Sequence, residues 1–527
     1  MSSPSSSRTG APARTATVSS LVGFLVVMEL SSGFLQGWFL PLLGQIGERF
    51  DAPPSALNWV TSVFLLTSVV FVPVIAKMGD RYGHKRMLAI AAALTAIGSI
   101  VVAVAPTFEI FLLGRAISAA LVAFIPLEFA IVRDRNPENA GKAIGLLIGA
   151  LTLGASLGAL LSGGLGEVLP LGVVLWAPAV LLALCVPVVI FLVPETSVRS
   201  TGTIDWWGAA LLGLGLVMLL GGVGNGNVWG WTDPKTLVAI VGGAVVLAGW
   251  TALELRVTSP LVDLRAVGSS GVGLPIGLGV LFGAWMLGGQ TPLSVFALTD
   301  PDVAGFGLGM GSAGVGLIAL VAGGFAFLGA SMGDRIARRI GYRATILAGS
   351  LTAGATYLVM AAWHSSTPGY LALTAVTSVA GGVLMATLPT IVVMRAPQDQ
   401  VAITSSLYNT SRTASGGAAG AVFAAIMSGL VTTVGTGDAA STVASESAYV
   451  AVWLVSAGLA LTFAVLALRI SNGKARAGES DGTPATASTV EAAAPVSPTP
   501  VSPTPVPVGA GPAVPVVARG ILAEEPA

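Results

Sequence analysis

The stretch Ala76-Lys77-Met78-Gly79-Asp80-Arg81 returns later in the chain as Ala330-Ser331-Met332-Gly333-Asp334-Arg335. Each copy closes a long apolar run. Each continues to a glycine and basic residues, Gly83-His84-Lys85-Arg86 in the first and Gly341-Tyr342-Arg343 in the second. Two apolar runs further on, Arg133-Asp134-Arg135-Asn136-Pro137 is answered by Arg395-Ala396-Pro397. A match at several equivalent places is an internal repeat and not a chance identity. It predicts two parallel halves related by an axis along a membrane normal, a transporter architecture with its site near the midplane between them.

The runs around these anchors define the fold class. A helix needs about 20 apolar residues to cross the hydrocarbon core. Fourteen runs qualify, at roughly 21–43, 56–76, 88–106, 110–132, 143–163, 171–193, 206–223, 236–253, 272–298, 314–331, 345–363, 370–393, 415–434 and 449–468. They are too long and too uniformly apolar for barrel strands, which alternate over ~10 residues. Spans 1–6 then correspond to spans 9–14, and spans 7–8 are an inserted pair. The expectation is an all-α integral membrane protein of two six-helix bundles plus two inserted helices. Its segments are a disordered N-terminus (1–17), an N-terminal bundle (18–195), the inserted pair (196–265), a C-terminal bundle (266–470) and a disordered Ala/Pro-rich tail (471–527) with the repeat VSPTP-VSPTP at 496–505.

Basic residues test the span count. Loops rich in Lys and Arg face the cytoplasm. Of the 25 Lys and Arg, all but Arg49, Lys235, Arg115 and Arg412 fall on one side of a fourteen-span chain. One misplaced span early in the chain would scramble that alternation. Both termini are therefore expected in the cytoplasm, with the protein multi-pass in the plasma membrane.

Composition agrees. Of 527 residues 54% are hydrophobic and 9% charged, with mean hydropathy +0.86; a soluble chain carries about 25% charged residues. Net charge is zero, which gives no reason to expect nucleic acid. Cys185 is the single cysteine, so no intrachain disulfide or cysteine-based metal cluster can form. The first run contains Glu29 and lacks the cleavage pattern of a signal peptide. It is taken as the first span. A membrane enzyme or sensor is a distant alternative: with two histidines and no H-E-x-x-H, G-x-S-x-G or P-loop, convergent catalytic groups are missing.

On these motifs the chain resembles the major facilitator superfamily, and within it the fourteen-span drug:proton antiporter branch, over about residues 20–470. The loop signature G-x-L-A-D-R-x-G-R-K is matched at Asp80, Arg81, Gly83 and Lys85; Ala76 and His84 depart. The resemblance implies that Gly79, Asp80, Arg81, Gly83 and Lys85, with Asp334 and Arg335 of the second copy, form a cytoplasmic gate favouring one access state. In span 4 the family pattern R-x-x-Q-G is represented by Arg115, without its Gln and Gly. In span 5 the antiporter spacing G-x8-G-x3-G is present at Gly145, Gly154 and Gly158, with Ala159 in place of the proline; small residues there let helices approach closely. Asp205-Trp206-Trp207-Gly208, Pro260-Leu261-Val262-Asp263-Leu264-Arg265 and Asn409-Thr410-Ser411-Arg412 resemble the same branch. The first span, with Met28-Glu29-Leu30 and Trp38-Phe39-Leu40-Pro41, departs from it.

Glu29 and Glu128 stand out as acidic residues within spans. An ionisable group at this depth is costly and marks a functional site. Glu29 lies about 12 Å into its run at 1.5 Å per residue. In the resembled family spans 1 and 4 line the central cavity, so Glu29 and Arg115 are expected to share it, with Glu29 taking up and releasing the proton. Glu128, five residues before Arg133, is expected in the cytoplasmic gate. Gln36, Trp38, Phe39, Trp285 and Gln290 are candidates for a mixed aromatic and polar substrate cavity. The implied function is secondary active, proton-coupled efflux of lipophilic drugs or small metabolites by alternating access. The alternative is an exporter, symporter or uniporter of one endogenous metabolite on the same fold. The resemblance implies no cofactor beyond a proton gradient, no metal, and a monomer whose partners are a small-molecule substrate, protons and the bilayer.

Overall fold

The computed structural model describes residues 18–52, 54–57, 59–200, 204–257, 260–434 and 441–470. The expected N-terminal segment 1–17 and the tail 471–527 lie outside these. The described chain is helical almost throughout, because in lipid every backbone polar group must be satisfied within its own segment. We number the long helices in chain order. The first six are α1 (Val18–Trp38), α2 (Trp59–Tyr82), α3 (His84–Val104), α4 (Phe108–Arg135), α5 (Ala140–Val168) and α6 (Trp176–Leu192). The next two are α7 (Trp206–Trp229) and α8 (Pro234–Glu254). The last six are α9 (Gly273–Gly288), α10 (Ser312–Ile340), α11 (Tyr342–Ala362), α12 (Thr367–Arg395), α13 (Val401–Gly429) and α14 (Glu446–Ala467).

Among the described residues thirteen segments are long and apolar enough to cross a membrane; α13 is the fourteenth long helix. Its apolar run suggested a span beginning near 415, yet the helix starts at Val401. The reason is where its polar residues go. Thr404, Ser405, Ser406 and Arg412 are buried against other helices, so protein and not lipid solvates them, and hydropathy understates the helix. The end of that run is also different: Val431–Val434 pairs antiparallel with Ser441–Ala444 as a small hairpin before α14. Span 9 breaks at Gly289, with a second helix over Gln290–Leu298.

The repeat is visible in the turns. Gly83 between α2 and α3 has φ +117°, and Gly341 between α10 and α11 has φ +88°. One residue reverses the chain at each, in a conformation open to glycine and strained for other L residues. The helix crossings repeat as well. A Cβ on Gly33 or Gly37 of α1 would lie 2.0 Å and 1.9 Å from the carbonyl oxygens of Leu151 and Ala155 on α5. One on Gly283 of α9 would lie 2.0 Å from the carbonyl of Arg412 on α13. Backbone-to-backbone contact of this kind supplies dispersion where no hydrophobic drive exists between helices.

Candidate functional site

The helix crossing of α1 and α5 carries Glu29 inward. Eleven residues along α1, it is about 16 Å from the start of that helix. Glu128 is seven residues before the end of α4, about 10 Å from the same end. Both are completely buried, and their carboxyl groups lie within hydrogen-bonding reach of one another. Ser32 stands one turn along α1 beside Glu29, and Cys185 of α6 lies near Glu128 and Ser31.

All four carboxyl oxygens of the pair lack a conventional donor. An ionised carboxylate only accepts, so two of them in contact, out of water, repel, and the neutral Ser32 hydroxyl beside Glu29 offsets little of that charge. One shared proton turns that contact into a short O–H···O⁻ bond. The geometry is therefore that of a proton-holding carboxyl pair. Glu128 does not sit in the gate, where its nearness to Arg133 had suggested it; the helix turns its side chain inward, toward α1. A polar line continues from the pair. Ser32 and Gln36 follow Glu29 at helical spacing, the Gln36 Nε2 donates to Ser32 Oγ at 3.4 Å, and Gln36 is exposed.

Arg115 does not share the site of Glu29. Its guanidinium carbon is 4.0 Å from the ring centre of Phe39 and 4.5 Å from that of Phe64. Its Nε donates to the Val60 carbonyl at 3.2 Å. Phe39 is ten residues beyond Glu29, so the two charges differ in depth by roughly 15 Å. A 3-10 stretch, Ala119–Ala123, separates Arg115 from the Glu128 segment of α4. Two aromatic faces and one carbonyl are what reconcile this cation with burial.

Three expected cavity residues also belong elsewhere. Trp38 is fully buried against Phe34, with ring centres 4.5 Å apart. Trp285 is buried against Phe282 and Phe463. Phe39 serves Arg115. Large aromatics in these apolar spans fill their own bundles, since nothing outside the bundle rewards their burial as well. Gln290 is exposed at the start of its helix. The seam between the halves is instead lined by Phe129 of α4, Leu151 of α5, Met385 of α12 and Tyr408, Asn409 and Arg412 of α13. It encloses about 10 Å³, at the limit for one water, so the halves are closed on each other at this level. Arg412 is buried, with Nη2 donating to Asn409 Oδ1 at 2.9 Å.

The end of the molecule bearing the repeated turn, here the basic end, is laced across the two halves. Asp80 accepts from the backbone N–H groups of Ala402 and Ile403, at 3.1 and 3.0 Å, in the first turn of α13. A carboxylate at a helix N-terminus meets unsatisfied donors and the positive end of the dipole. His84 holds the same carboxylate through Nε2 at 2.9 Å, while its Nδ1 meets Thr196 Oγ1 at 2.8 Å. Asp334, the repeat of Asp80, faces the first turn of α5: a Cβ on Gly141 would lie 2.1 Å from its Oδ1. Arg338 Nε and the Tyr342 hydroxyl donate to Asp334 at 2.8 and 3.2 Å. Arg133 Nη1 donates to the Ala396 carbonyl at 2.7 Å, and Arg338 to that of Glu138.

The remaining expected gate residues take supporting positions. Gly79 is buried and leaves room for the Leu127 side chain. The Lys85 and Arg86 amides donate to Glu195, close to which Gly83 admits no side chain. The Arg81 guanidinium lies over the Tyr82 ring at 5.4 Å, and Arg335 is exposed. Of the span-5 glycines, Gly154 and Gly158 meet the α1 carbonyls of Leu30 and Phe34, whereas Gly145 meets the carbonyl of Ala330 in the other half. Sequence reasoning missed His84, which it took as a departure from a motif; the turn at Gly83 brings the first residue of α3 back onto Asp80 near the end of α2. It also missed Gly33 and Gly37, whose spacing of four was the available signal.

The Major Facilitator Superfamily profile matches residues 25–421. The chain is 26% identical over 249 residues to the uncharacterized MFS-type transporter YhcA of Bacillus subtilis (strain 168), covering 45% of this chain and 47% of that one. It thus spans about half the length of that relative. It is 25% identical over 388 residues to the multidrug resistance protein Stp of Mycobacterium tuberculosis (strain CDC 1551 / Oshkosh), covering 70% of this chain and 68% of Stp. The crystal structure of the human organic anion transporter MFSD10 (TETRAN) superimposes with TM-score 0.61 at 18% identity, over 86% of this chain and 100% of that one, a likeness of fold.

Proposed function

Because this chain belongs to the Major Facilitator Superfamily, and is on that ground a multi-pass membrane transporter and not an enzyme, we propose that it exports lipophilic small molecules in exchange for protons. The observation that carries the proposal is the buried Glu29–Glu128 pair, two carboxyl groups within reach of one another and away from water. A site that needs a proton to be stable, and loses that stability when the proton leaves, can bias a two-state equilibrium by its own protonation. Resemblance to a protein named for multidrug resistance supports the substrate class.

In this reading the basic end is cytoplasmic, both termini lie inside, and the monomer sits in the plasma membrane. The conformation is the one shut toward the cytoplasm. Asp80 accepts from the first-turn amides of α13 and Asp334 packs against Gly141 in the first turn of α5, so the two halves are held together there. Protons reach the carboxyl pair from outside along the Ser32–Gln36 line. The halves then rock, the latch bonds break, and the pair releases its proton to the cytoplasm as substrate binds in the seam near Arg412. Arg115 acts as a positioning residue that fixes the outer half of α4 against α1 and α2.

Transport in inverted membrane vesicles tests this, with ethidium, a neutral drug and an anionic drug, with and without a collapsed pH gradient. Wild type is expected to accumulate ethidium only with the gradient, and Glu29→Gln and Glu128→Gln to lose gradient-driven uptake by at least tenfold. Uptake that survives collapse of the gradient, or is unchanged in both variants, would remove proton coupling. Movement of none of the compounds would turn the substrate class toward one endogenous metabolite.

A further inference from the structure

We propose that the cleft between the inserted pair and α13 is a binding site for one acyl chain of a membrane phospholipid. The cleft encloses about 520 Å³, inside the range of about 300–1,000 Å³ typical of small-molecule sites. Its walls are Pro73 of α2, Leu216 and Leu219 of α7, Trp250 of α8, and a stripe on α13 running from Ile403 to Ala418. Ser406, Thr410, Ala414 and Ala418 on that stripe recur at i+4, so they form one face of α13. Tyr408 and Arg412 occupy the opposite face, at the central seam. The cleft is thus a separate place from the transport site.

Position selects the occupant. The outer faces of α7 and α8 are exposed and apolar, at Leu214, Val238, Val241 and Val245, as lipid-facing helices are. Their inner faces form the cleft, so it opens among helices that lipid surrounds and water does not reach. Left empty, its lining would forfeit dispersion contacts; alkyl chains are the bulk medium at hand to supply them.

Shape agrees with position. From Ile403 to Ala418 the cleft runs roughly 22 Å along α13 at 1.5 Å per residue. Its lining follows α13 over that whole length, so the cleft is elongated and suits an extended alkyl chain better than a compact molecule. Ser406 adds a polar mark: it lines the cleft, is fully buried, and its hydroxyl has no partner. It can meet the ester end of a chain or an unsaturated carbon. Arg256 is exposed just past the end of α8, the helix whose Trp250 and Thr251 line the cleft, and is a cation that can meet a phosphate.

The occupant would touch the machinery. Ile403 lines the cleft, and its amide is one of the two held by Asp80. Pro73 and Ile403 come from different halves, so a chain seated between them is held best in the conformation shut at the basic end. The inserted pair then serves to build a lipid seat against the moving seam.

The test uses the full-length protein in proteoliposomes of phosphatidylcholine whose sn-2 chain carries a mid-chain diazirine. After photolysis, adducts are mapped by mass spectrometry. Adducts are expected on the buried cleft residues between 216 and 223 and between 403 and 418, and a filling substitution, Ala414→Trp, should lower them at least tenfold while adducts at Leu214 and Val241 stay. Ala418→Phe provides the same block if Ala414→Trp is not recovered as a monodisperse protein. Adducts confined to the exposed faces, or cleft adducts unchanged by both substitutions, overturn the proposal. Loss of cleft adducts on adding excess ethidium also overturns it, by giving the cleft to a transported compound.

Discussion

Replacing Asp80 by Asn removes one negative charge from the first turn of α13 and changes little in volume. The carboxylate accepts from two backbone amides there, at 3.1 and 3.0 Å, and from His84 at 2.9 Å. An asparagine offers one carbonyl oxygen and turns an NH₂ donor toward the remaining donors, so at least one bond across the seam is lost. A hydrogen bond to a charged acceptor contributes about 1.5–3 kcal/mol, and a carboxylate at a helix N-terminus about 0.3–1 kcal/mol, more when buried. Asp80 is 1% exposed, so screening by solvent is slight. The state closed at the basic end should lose about 2–4 kcal/mol, a shift of roughly 30- to 1,000-fold in population at 1.4 kcal/mol per tenfold. Distance distributions between spin labels at Glu138 and Arg339 read this directly, because Arg338 bonds to the Glu138 carbonyl across the seam. Cys185→Ala leaves no native thiol to interfere. Wild type should give a short distance, and Asp80→Asn a dominant longer one. A distribution that Asp80→Asn leaves unchanged would refute the latch.

Gly33→Val places a Cβ 2.0 Å from the Leu151 carbonyl oxygen; the obstacle is backbone, so the helices must part, at a cost toward the upper end of about 1–3 kcal/mol. Its melting temperature in detergent should fall well below wild type, and an unchanged value would mean that α1 and α5 are not in contact. Arg115→Met and Phe39→Leu should be non-additive in thermal stability by about 1 kcal/mol or more, since the guanidinium sits 4.0 Å over that ring; simple additivity counts against the stacking. Lys77 Nζ donates to the Pro260 carbonyl at 3.2 Å and so ties α2 to the chain after the inserted pair. Lys77→Met should speed amide exchange over residues 260–264, and equal rates would dissociate the two. The carboxyl pair predicts that Glu128→Gln and Glu29→Gln each abolish the pH-gradient dependence of uptake, with the double variant no worse than either; additive losses would mean separate roles.

Much of the architecture was legible because the bilayer is a severe solvent. Backbone groups force helices, hydrocarbon thickness sets their length, and basic residues alternate sides, so periodicity and charge suffice. The repeated Gly-Asp-Arg turn found the basic end for the same reason: Gly83 and Gly341 need a left-handed turn that a side chain would strain. The start of α13 was not legible, because its Thr and Ser residues look like a loop until other helices cover them. Trp38 and Trp285 looked like cavity residues because aromaticity alone says nothing about which way a ring points.

Sequence alone determined that this protein spans the membrane, that the Gly-Asp-Arg stretch recurs in its second half, and that Glu29 and Arg115 are costly enough to need a reason. Tertiary structure alone decided what those reasons are. Glu29 meets Glu128 and not Arg115, since helix crossing sets which depths coincide, and residues 99 positions apart in the numbering share no local signal. Arg115 finds Phe39, Phe64 and Val60, and Asp80 finds the amides of Ala402 and Ile403. Pairing of buried polar groups is a property of how helices are stacked, and a one-dimensional pattern holds only the demand for a partner, not its identity.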